Sequence, residues 1–447
     1  MSNSELLQMD SLFDRLFPIC RSITGEGLRE TLNILSGYIP LEHFGVKSDT
    51  EVFDWIIPKE WVIRDAILKG PDNKIIADFK INNLHVLNYS DSVDSVIDLE
   101  ELQQHLHSIP NLPTAIPYVI SYYKRRWGFC ISHEEREQLK PGKYHAYIDS
   151  EFIDGELNFS HAILPGESKR EILISTYVCH PSMANNELSG PISAVFLYQR
   201  LARKQRRFTY RFVFLPETIG SISYLHRFGE ELRQNIYAGL VLTCLGGNRS
   251  LSYKMSRRGD SPIDLMWTHL NDTNVFNGQT RIFTPDGGSD ERQYCSPGFN
   301  LPVGQMARTV YGEYAGYHNS LDTKAEMTIE SLYSSVNEME ILIEAVEWDG
   351  YYINNSPYGE VKLDKYGLYP DMNAAGVTKQ LSSNNLNDNR IQLSRILNIL
   401  NYSDGEHTLR EIASKCNASI LDLIPIVKLL LDKELISGPY DERRDIL

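Results

Sequence analysis

The sequence predicts an α/β protein in which helices flank a central sheet, with a small mainly β domain and a C-terminal winged helix added to it. Three nearly continuous apolar runs predict the sheet, because strands without polar alternation are buried on both faces. A block of short β-branched and aromatic runs predicts the small domain. A helix, turn, helix, helix pattern near the C-terminus has the outline of a winged helix.

The chain opens with two predicted helices, and the small β domain follows them. Residues 5–17 and 28–35 carry apolar side chains at near-helical spacing. From residue 52 to residue 102 the pattern changes to short strand-forming runs separated by turn signals. We therefore expect a small, mainly β domain over residues 49–149, inserted into the larger α/β domain.

Strands and helices alternate in the larger domain, which we predict over residues 1–48 and 150–378. Strands are predicted at residues 143–148, at the end of the small domain, and at residues 157–164, 171–178, 206–216 and 238–247 of the larger domain. A helical pattern over residues 190–204 joins the third of these strands to the fourth. This order of strand, helix and strand is typical of an α/β sheet.

The predicted winged helix occupies residues 384–447 and follows a polar linker. A turn at residues 403–405 separates its first helix from two more, at residues 409–416 and 421–431. The segment holds eight Lys and Arg residues against ten Asp and Glu residues, so it lacks the basic face typical of DNA-binding domains. We interpret it as a protein-contact module or as an oligomerisation module through which the chain could form a homo-oligomer, and DNA binding is the less favoured interpretation.

Composition limits the partners and the compartment. The 447 residues carry a formal charge of −15, which gives little electrostatic support for binding nucleic acid or an anionic membrane. The six cysteines form no CxxC pair, which argues against a disulfide framework and favours a reducing compartment. No secretion signal or membrane-spanning run is visible. We expect a soluble cytoplasmic protein that acts on a small molecule.

Two candidate site residues follow the predicted buried strands. His180 comes directly after the first of them, and Glu217 comes after the second. Ligands of open α/β sheets bind beyond the carboxyl ends of the strands, so both side chains can reach a cleft. Taken singly, His180 also fits a hydrogen-bonded surface histidine, and Glu217 fits an acid favoured by a helix N-terminus.

Two later loops carry further candidates. Asp290 lies in a glycine-rich loop, and His318 and Asp322 lie in a loop rich in tyrosine. Turn chemistry explains either loop taken alone. Two histidines and carboxylates from separate loops could nevertheless build an open zinc site, which needs about three protein ligands and one water. Tyr122 and Tyr123, with Trp127, could form a stacking wall, although core packing is the commoner role of such residues.

An ordered series of motifs resembles that of the co-catalytic zinc aminopeptidases. The series is His180, Asn186-x-x-Ser189-Gly190, Glu217-x-x-Gly220-Ser221, Ser289-Asp290 and Tyr317-His318. More specifically, the segments DWIIPKEWVIRDA, NLHVLNYS, SYYKRRWGFC, CHPSMANNELSG, LPETIGS, GSDERQY and YHNSLD resemble a bacterial aminopeptidase-like family. That family has an inserted small domain and a C-terminal winged helix, and it is sometimes found with polysaccharide biosynthesis genes. The resemblance covers essentially the whole chain and implies a zinc-aminopeptidase-like mixed sheet.

The resemblance also implies roles for single residues. His180 matches the first metal histidine and His318 the last, while Glu217 matches the general base that acts on a metal-bound water. Asp290 falls where the pattern has an acid near the substrate. We expect zinc as the metal.

Three departures from the pattern predict one zinc ion per chain. The positions of a bridging aspartate, a ligand glutamate and a ligand aspartate fall on Asn186, Thr218 and Cys244. Two zinc ions about 3.5 Å apart need such carboxylates to screen their mutual repulsion.

The third ligand of a single zinc has three candidates. Glu187 is the first, and the side-chain oxygen of Asn186 or the thiolate of Cys244 are alternatives. Asp322 is expected to orient the imidazole of His318. Arg21, in the motif RSITGEG, could bind a substrate carboxylate or phosphate, and a salt bridge with a neighbouring acid is the equal alternative.

These observations predict a zinc-dependent hydrolase of amide bonds, whose substrate is a short peptide or an N-acyl sugar. Glu217 would activate the metal-bound water and pass its proton to the leaving amine. The alternative is a non-catalytic binding or assembly protein that keeps the fold after losing its metal carboxylates. Asn186 and Thr218 favour that alternative, and the presence of His180, Glu217 and His318 together opposes it.

Overall fold

The computed structural model of the protein describes residues 3–369 and 385–442. The chain divides into two compact units, the first formed by Met1–Ile263 with Gly278–Glu340 and the second by Asp264–Asn277 with Ile341–Leu447. Within the described ranges, no helix has the length and apolar character needed to cross a membrane. The predicted boundary between the α/β domain and the winged helix, at residues 378–384, lies outside the described residues.

The helices are numbered here in chain order. They are α1 (Asn3–Leu16), α2 (Glu26–Ser36), α3 (Leu99–Leu102), α4 (His133–Glu137), α5 (Ser189–Leu201), α6 (Ile219–Asn235), α7 (Pro262–Asp272), α8 (Glu291–Tyr294), α9 (Lys324–Met327), α10 (Ile329–Trp348), α11 (Asn385–Tyr402), α12 (Leu409–Lys415) and α13 (Ile420–Asp432). A π-helical turn, Ala184–Leu188, directly precedes α5. The helices expected at the N-terminus and after the first buried strand are therefore present.

The strands are numbered in the same way. They are β1 (Glu42–Lys47), β2 (Glu51–Val52), β3 (Trp55–Ile56), β4 (Glu60–Lys69), β5 (Ile75–Asp78), β6 (Val93–Asp98), β7 (Leu106–His107), β8 (Phe129–Cys130), β9 (Lys143–Ile153), β10 (Glu156–Leu164), β11 (Glu171–Tyr177), β12 (Thr209–Leu215), β13 (Ile236–Leu242), β14 (Ser252–Lys254), β15 (Gln279–Arg281), β16 (Val303–Ala307), β17 (Tyr351–Asn354), β18 (Asp404–Thr408) and β19 (Ile436–Tyr440).

A mixed eight-stranded sheet forms the centre of the first unit. Its order is β1-β10-β12-β11-β13-β16-β14-β15, and the four strands from β12 to β16 run parallel. Every residue of β11 is buried, as its continuous apolar pattern predicts. The chain passes from β11 to β12 on one side and later returns to β13 on the other. Such a reversal opens a crevice at the carboxyl end of the middle strand.

The segment predicted as a small β domain forms a second, antiparallel sheet in the order β5-β4-β9-β6 within the first unit. Its apolar side chains pack in one cluster with residues of the large sheet, including Trp61 and Tyr144 from the small sheet and Leu173 from the large one. Strand β9 continues to Ile153, past the predicted boundary at residue 149, and β10 begins three residues later in the large sheet. The two sheets therefore follow each other almost without a linker.

In the second unit, α11, α12 and α13 accompany a three-stranded antiparallel sheet in the order β18-β17-β19. Capping boxes at Thr408 and Ser419 begin α12 and α13, close to the starts that the sequence predicts. The predicted turn at residues 403–405 instead leads into β18, which pairs with β17. That pairing joins segments about 50 residues apart, so local pattern could not indicate it.

Candidate metal centre

The carboxyl ends of β11 and β12 bring His180 and Glu217 together. These strands are parallel neighbours, so the residues that follow them emerge at the same edge of the sheet. Nε2 of His180 lies 3.7 Å from Oε2 of Glu217. Burial lowers the pKa of His180, but the carboxylates of Glu187 and Glu217 outweigh burial and raise that pKa above its ordinary value.

Glu187 reaches the same imidazole from the π-helical turn. Its Oε2 lies 3.0 Å from Nδ1 of His180, and both side chains are buried. Neither Nδ1 of His180 nor either carboxylate oxygen of Glu187 has a hydrogen-bond partner of acceptable geometry. Two ligand atoms about 2.0–2.1 Å from one tetrahedral zinc lie about 3.3 Å apart. The orphaned atoms are therefore spaced like two ligands of one ion.

Cys179 completes a cluster with metal-ligand spacing. Among the described residues, one set of three such side chains has ligand atoms that all lie within 4.8 Å of one another, namely Cys179, His180 and Glu187. Sγ of Cys179 accepts a hydrogen bond of 3.3 Å from the backbone N–H of Glu217. Burial, with the charge of Glu187, raises the pKa of the Cys179 thiol well above its usual range. Cys179 was not among the predicted site residues, although its position beside His180 at a strand end is a usable signal.

His318 lies outside that cluster. The centroids of its ring and of the His180 ring are 5.4 Å apart, and Tyr317 stacks on it at 4.1 Å. Its backbone takes a φ of 56°, and its buried Nε2 has no hydrogen-bond partner. Burial and the nearby His180 lower the pKa of His318 to about 3, so in this environment the imidazole is neutral.

The general-base candidate is held by the loop that carries Ser289 and Asp290. Oε1 of Glu217 accepts a hydrogen bond of 2.6 Å from Oγ of Ser289. Burial raises the pKa of Glu217, although His180 and Ser289 oppose that shift. Its neighbour Thr218 has a φ of 63°, an uncommon conformation for a β-branched residue.

Asp290 stabilises the backbone at Thr218 through hydrogen bonds. Its Oδ1 accepts hydrogen bonds from the backbone N–H of Thr218, at 2.7 Å, and from Oγ of Ser221, at 2.8 Å. The side chain is fully buried, and it does not line the cavity described below. Burial and the charge of Glu217 raise the pKa of Asp290 to about 8. Asp290 therefore lies behind the turn that follows Glu217 and supports it through these hydrogen bonds.

The expected role of Asp322 is wrong. Its carboxylate accepts hydrogen bonds from the backbone N–H groups of Asn185, at 2.8 Å, and Asn186, at 2.9 Å. A third bond, of 3.2 Å, comes from the hydroxyl of Tyr314. Its oxygens are thus occupied by the start of the π-helical turn, and Asp322 positions Glu187 rather than the imidazole of His318.

Asn186 and Cys244 form a neutral pair beneath the cluster. Nδ2 of Asn186 lies 3.0 Å from the hydroxyl of Tyr177 and 3.9 Å from Sγ of Cys244. Both residues are buried, and burial raises the pKa of the Cys244 thiol to about 12. The co-catalytic zinc aminopeptidase pattern has carboxylates at these two positions, and in this protein both side chains are neutral.

Arg21 does not reach the cavity. Its side chain is fully buried, and Nε lies 3.5 Å from Oε1 of Glu187. The same guanidinium donates hydrogen bonds to the backbone carbonyls of His180, at 2.9 Å, and Leu16, at 2.6 Å. The salt-bridge alternative therefore holds, and the proposed contact with a substrate carboxylate or phosphate is wrong because no surface of Arg21 faces solvent.

An aromatic cavity of about 270 Å³ opens above His180 and Glu217. Its lining is mainly apolar and comes from the small domain as well as from the sheet end, and it includes Trp55, Tyr118, Ile120, Tyr122, Tyr123 and His318. The ring of Tyr118 makes T-shaped contacts with the rings of His180 and His318, at centroid distances of 5.2 and 5.4 Å. Trp127 stacks on His105 instead. Trp55 and Tyr118 were not predicted, because only the tertiary fold brings them to the sheet end.

Two family models together match most of the chain. A family model described as "Domain of unknown function (DUF4910)" matches residues 10–349, and one described as "winged helix-turn-helix" matches residues 350–438. A Clostridium acetobutylicum protein named "Putative polysaccharide biosynthesis protein with aminopeptidase-like domain" is 40% identical over 408 residues. The match covers 91% of this chain and 90% of that protein.

Solved structures confirm the predicted fold. A crystal structure described as a "putative peptidase" from C. acetobutylicum is 38% identical, with a TM-score of 0.88, and the match covers 97% of this chain and 96% of that one. BSAP, a zinc aminopeptidase from Bacillus subtilis, shares the fold at 11% identity and a TM-score of 0.56, covering 76% of this chain and 93% of its own. A peptidase M28 precursor from Shewanella amazonensis also shares the fold, at 12% identity and a TM-score of 0.54. That match covers 77% of this chain and 93% of the precursor chain. The chain belongs to the DUF4910 family and combines its aminopeptidase-like fold with a C-terminal winged helix.

Proposed function

We propose that the protein is a zinc-dependent hydrolase of amide bonds, acting on a short peptide or an N-acyl sugar. The observation that carries the proposal is the position of Glu217. Its carboxylate lines an apolar cavity and lies 3.7 Å from His180, which belongs to the cluster with metal-ligand spacing. A base, a metal-binding group and a substrate-sized cavity thus meet at one strand end.

His180 and Glu187 would hold a single zinc ion as an imidazole and a carboxylate ligand. Two side chains compete for the third position, Cys179 from within the cluster and His318 from across the cavity. The spacing favours Cys179. One ion rather than two suits the neutral side chains at Asn186 and Cys244, which could not screen a second charge.

Zinc, when bound, polarises an amide carbonyl and acidifies a coordinated water. Glu217 would take a proton from the attacking water and deliver it to the leaving nitrogen. Its raised pKa suits both steps, since a carboxyl that titrates closer to neutral pH both accepts and returns a proton more readily. Ser289 would hold the carboxylate toward the cavity through its 2.6 Å hydrogen bond.

The test is Glu217→Gln in the full chain, assayed on peptide p-nitroanilides and N-acetylated amino sugars. The variant should keep its zinc and lose about 100-fold or more in turnover, within the range for removal of a general base. Glu167→Gln, at an exposed position, is the matched control and should keep full activity. Unchanged turnover in Glu217→Gln would refute the assigned role.

A non-catalytic binding or assembly protein is the second candidate, and the neutral residues Asn186, Thr218 and Cys244 favour it. In that case the winged helix would carry the contact that forms a homo-oligomer. Ile391 on α11 is 49% exposed and is a natural position to probe. Light scattering of the full chain and of Ile391→Asp tests the contact: a smaller assembly in the variant supports it, and an unchanged mass opposes a contact through this face.

A further inference from the structure

We infer that the cavity accepts an uncharged, N-acylated amine and discriminates against a substrate with a free ammonium group. The inference rests on the proposed function, because it assigns a substrate class to the same cavity. It narrows the proposed substrates from amides in general to amides that carry no free ammonium group.

The cavity offers few negatively charged groups to a cationic substrate. Among the described residues that line it, the one carboxylate is Glu217, which lies beside His180 and accepts a hydrogen bond from Ser289. Asn186 and Cys244, which lie behind the histidine, are neutral and contact each other. An ammonium group entering this space would lose its hydration and find no second carboxylate to pair with, which is costly in an apolar site.

The fully buried acidic side chains near the site already interact with other protein groups. Glu187 faces His180 and Arg21, and Asp290 is bound to Thr218 and Ser221. Neither lines the cavity. A cationic substrate would therefore have to share Glu217, and a Glu217 paired with an ammonium group could not act freely as a base.

The aromatic rim supplies the attraction for a neutral ligand. Trp55 and Tyr123 are 37% and 59% exposed, and their ring centroids lie 5.7 Å apart at an interplanar angle of 66°. Ile120, which is 43% exposed, adds apolar surface to the same rim. Such a rim stacks the apolar face of a sugar ring or an apolar acyl or side-chain group.

The size of the cavity fits one unit rather than a long chain. Its volume of about 270 Å³ lies just below the range of roughly 300–1,000 Å³ typical of small-molecule sites. We therefore expect an N-acetylated hexosamine or a single N-acetylated amino acid derivative. In the reaction one water is consumed, the acyl carbon–nitrogen bond breaks, the water oxygen joins the acyl carbon, and the nitrogen leaves as an amine with the water's proton.

The test compares probes that differ in charge. Leucine p-nitroanilide and N-acetyl-leucine p-nitroanilide differ at the α-nitrogen, and N-acetylglucosamine is compared in the same way with glucosamine. Binding to the full-length, zinc-loaded protein is measured by calorimetry, and release of acetate, amine or nitroaniline by mass spectrometry. Each acetylated probe should bind at least about tenfold more tightly than its free amine.

The outcomes separate this inference from the proposed function. Preferential binding and hydrolysis of either acetylated probe supports both, and the probe pair that shows it identifies the source as amino sugar or amino acid. Preferential binding without any hydrolysis supports the inference and counts against the hydrolase. Equal or tighter binding of the free amines, or no binding of any probe, overturns the inference, whereas hydrolysis of a free-amine probe would leave the hydrolase intact.

Variants at the rim test the aromatic contribution. Trp55→Ala should weaken binding of the preferred acetylated probe by about tenfold, and Trp55→Phe should retain most of it, because the ring is preserved. Tyr358→Ala, at a residue that is 99% exposed and does not line the cavity, is the matched control. Circular dichroism checks folding. Loss of binding in Trp55→Phe equal to that in Trp55→Ala would contradict a stacking role.

Discussion

Nδ1 of His180 lies 3.0 Å from Oε2 of Glu187, and neither atom has a hydrogen-bond partner of acceptable geometry. A buried histidine and a buried glutamate this close would ordinarily share a proton in a well-aligned bond. Their poor alignment and their spacing instead match two ligands of one metal ion. Two neighbouring residues support this pair. Arg21 offsets the charge of Glu187, and Asp322 binds the backbone of the π-helical turn that carries Glu187.

Glu187→Gln should sharply weaken zinc binding. Glutamine keeps the shape of the side chain but removes the negative charge that a cation requires. The loss in affinity should exceed the roughly 10–100-fold seen when a group that only supports a ligand is removed. Competition with a chromogenic chelator measures it. Glu60→Gln, which breaks a partly buried ion pair with Arg29, is the control. Equal zinc affinity in the Glu187 variant and the control would rule Glu187 out as a ligand.

Cobalt substitution should identify the third ligand. If Cys179 binds the ion, the Co²⁺ protein will show thiolate-to-metal charge transfer in the near ultraviolet, and Cys179→Ser will abolish that absorption. Cys244→Ser is the matched control and should retain it. The opposite pattern would assign the ligand to Cys244. No charge transfer in the wild-type protein would exclude both cysteines and leave His318 or the side-chain oxygen of Asn186 as the third ligand.

Removing Arg21 should destabilise the fold. Arg21→Met removes the guanidinium that pairs with the buried Glu187, and loss of one partner of a buried ion pair costs about 3–5 kcal/mol in the free energy of unfolding of the metal-free protein. Urea unfolding followed by tryptophan fluorescence measures it. The double variant Arg21→Met/Glu187→Gln should recover part of the loss, because it removes both charges. An effect of Arg21→Met no larger than that of Arg64→Met, at a half-exposed pair, would contradict the role.

Asp290 should make stability depend on pH. Its pKa in the folded protein, about 8, lies above the ordinary value of 3.8. The folded state therefore holds a proton that the unfolded chain releases, so the free energy of unfolding falls as pH rises from about 4 to about 8. One proton gives a slope of at most about 1.4 kcal/mol per pH unit.

Asp290→Asn should flatten that dependence, because asparagine keeps an acceptor for Thr218 and Ser221 and does not ionise. Urea unfolding at pH 5 and pH 8 measures the difference, with Asp286→Asn at an exposed position as the control. A slope that is equal in wild type and Asp290→Asn would show that another group is responsible.

Much of the architecture could be predicted from the sequence, because the signals are local. The continuous apolar runs of β11, β12 and β13 indicate buried strands, and the spacing of α1 indicates a helix. Pairings between distant segments carry no such signal. The short strands β14 and β15 and the pairing of β17 with β18 become visible only when the tertiary fold is present.

The site shows the same limit. The motif series predicted that His180, Glu217 and His318 would share one site, and the structure brings all three to the same cavity. Glu187, one of three candidates for the third ligand, lies beside His180. The sequence does not indicate which of these side chains are buried or which neighbours they contact. For Arg21 a substrate contact and a salt bridge were equal alternatives, and it is buried beside Glu187. Asp322 was expected to orient the imidazole of His318, and it instead accepts hydrogen bonds from the backbone of the π-helical turn. Cys179 was missed because the motif pattern singles out its neighbour.

The most direct test of the account is the zinc content of the full-length protein, purified without a histidine tag and compared with His180→Ala prepared in the same way. The account predicts about one zinc per chain in the wild type and in Glu217→Gln, and none in His180→Ala. A protein that holds no metal after zinc supplementation and dialysis would contradict the metal centre, and with it the proposed hydrolase.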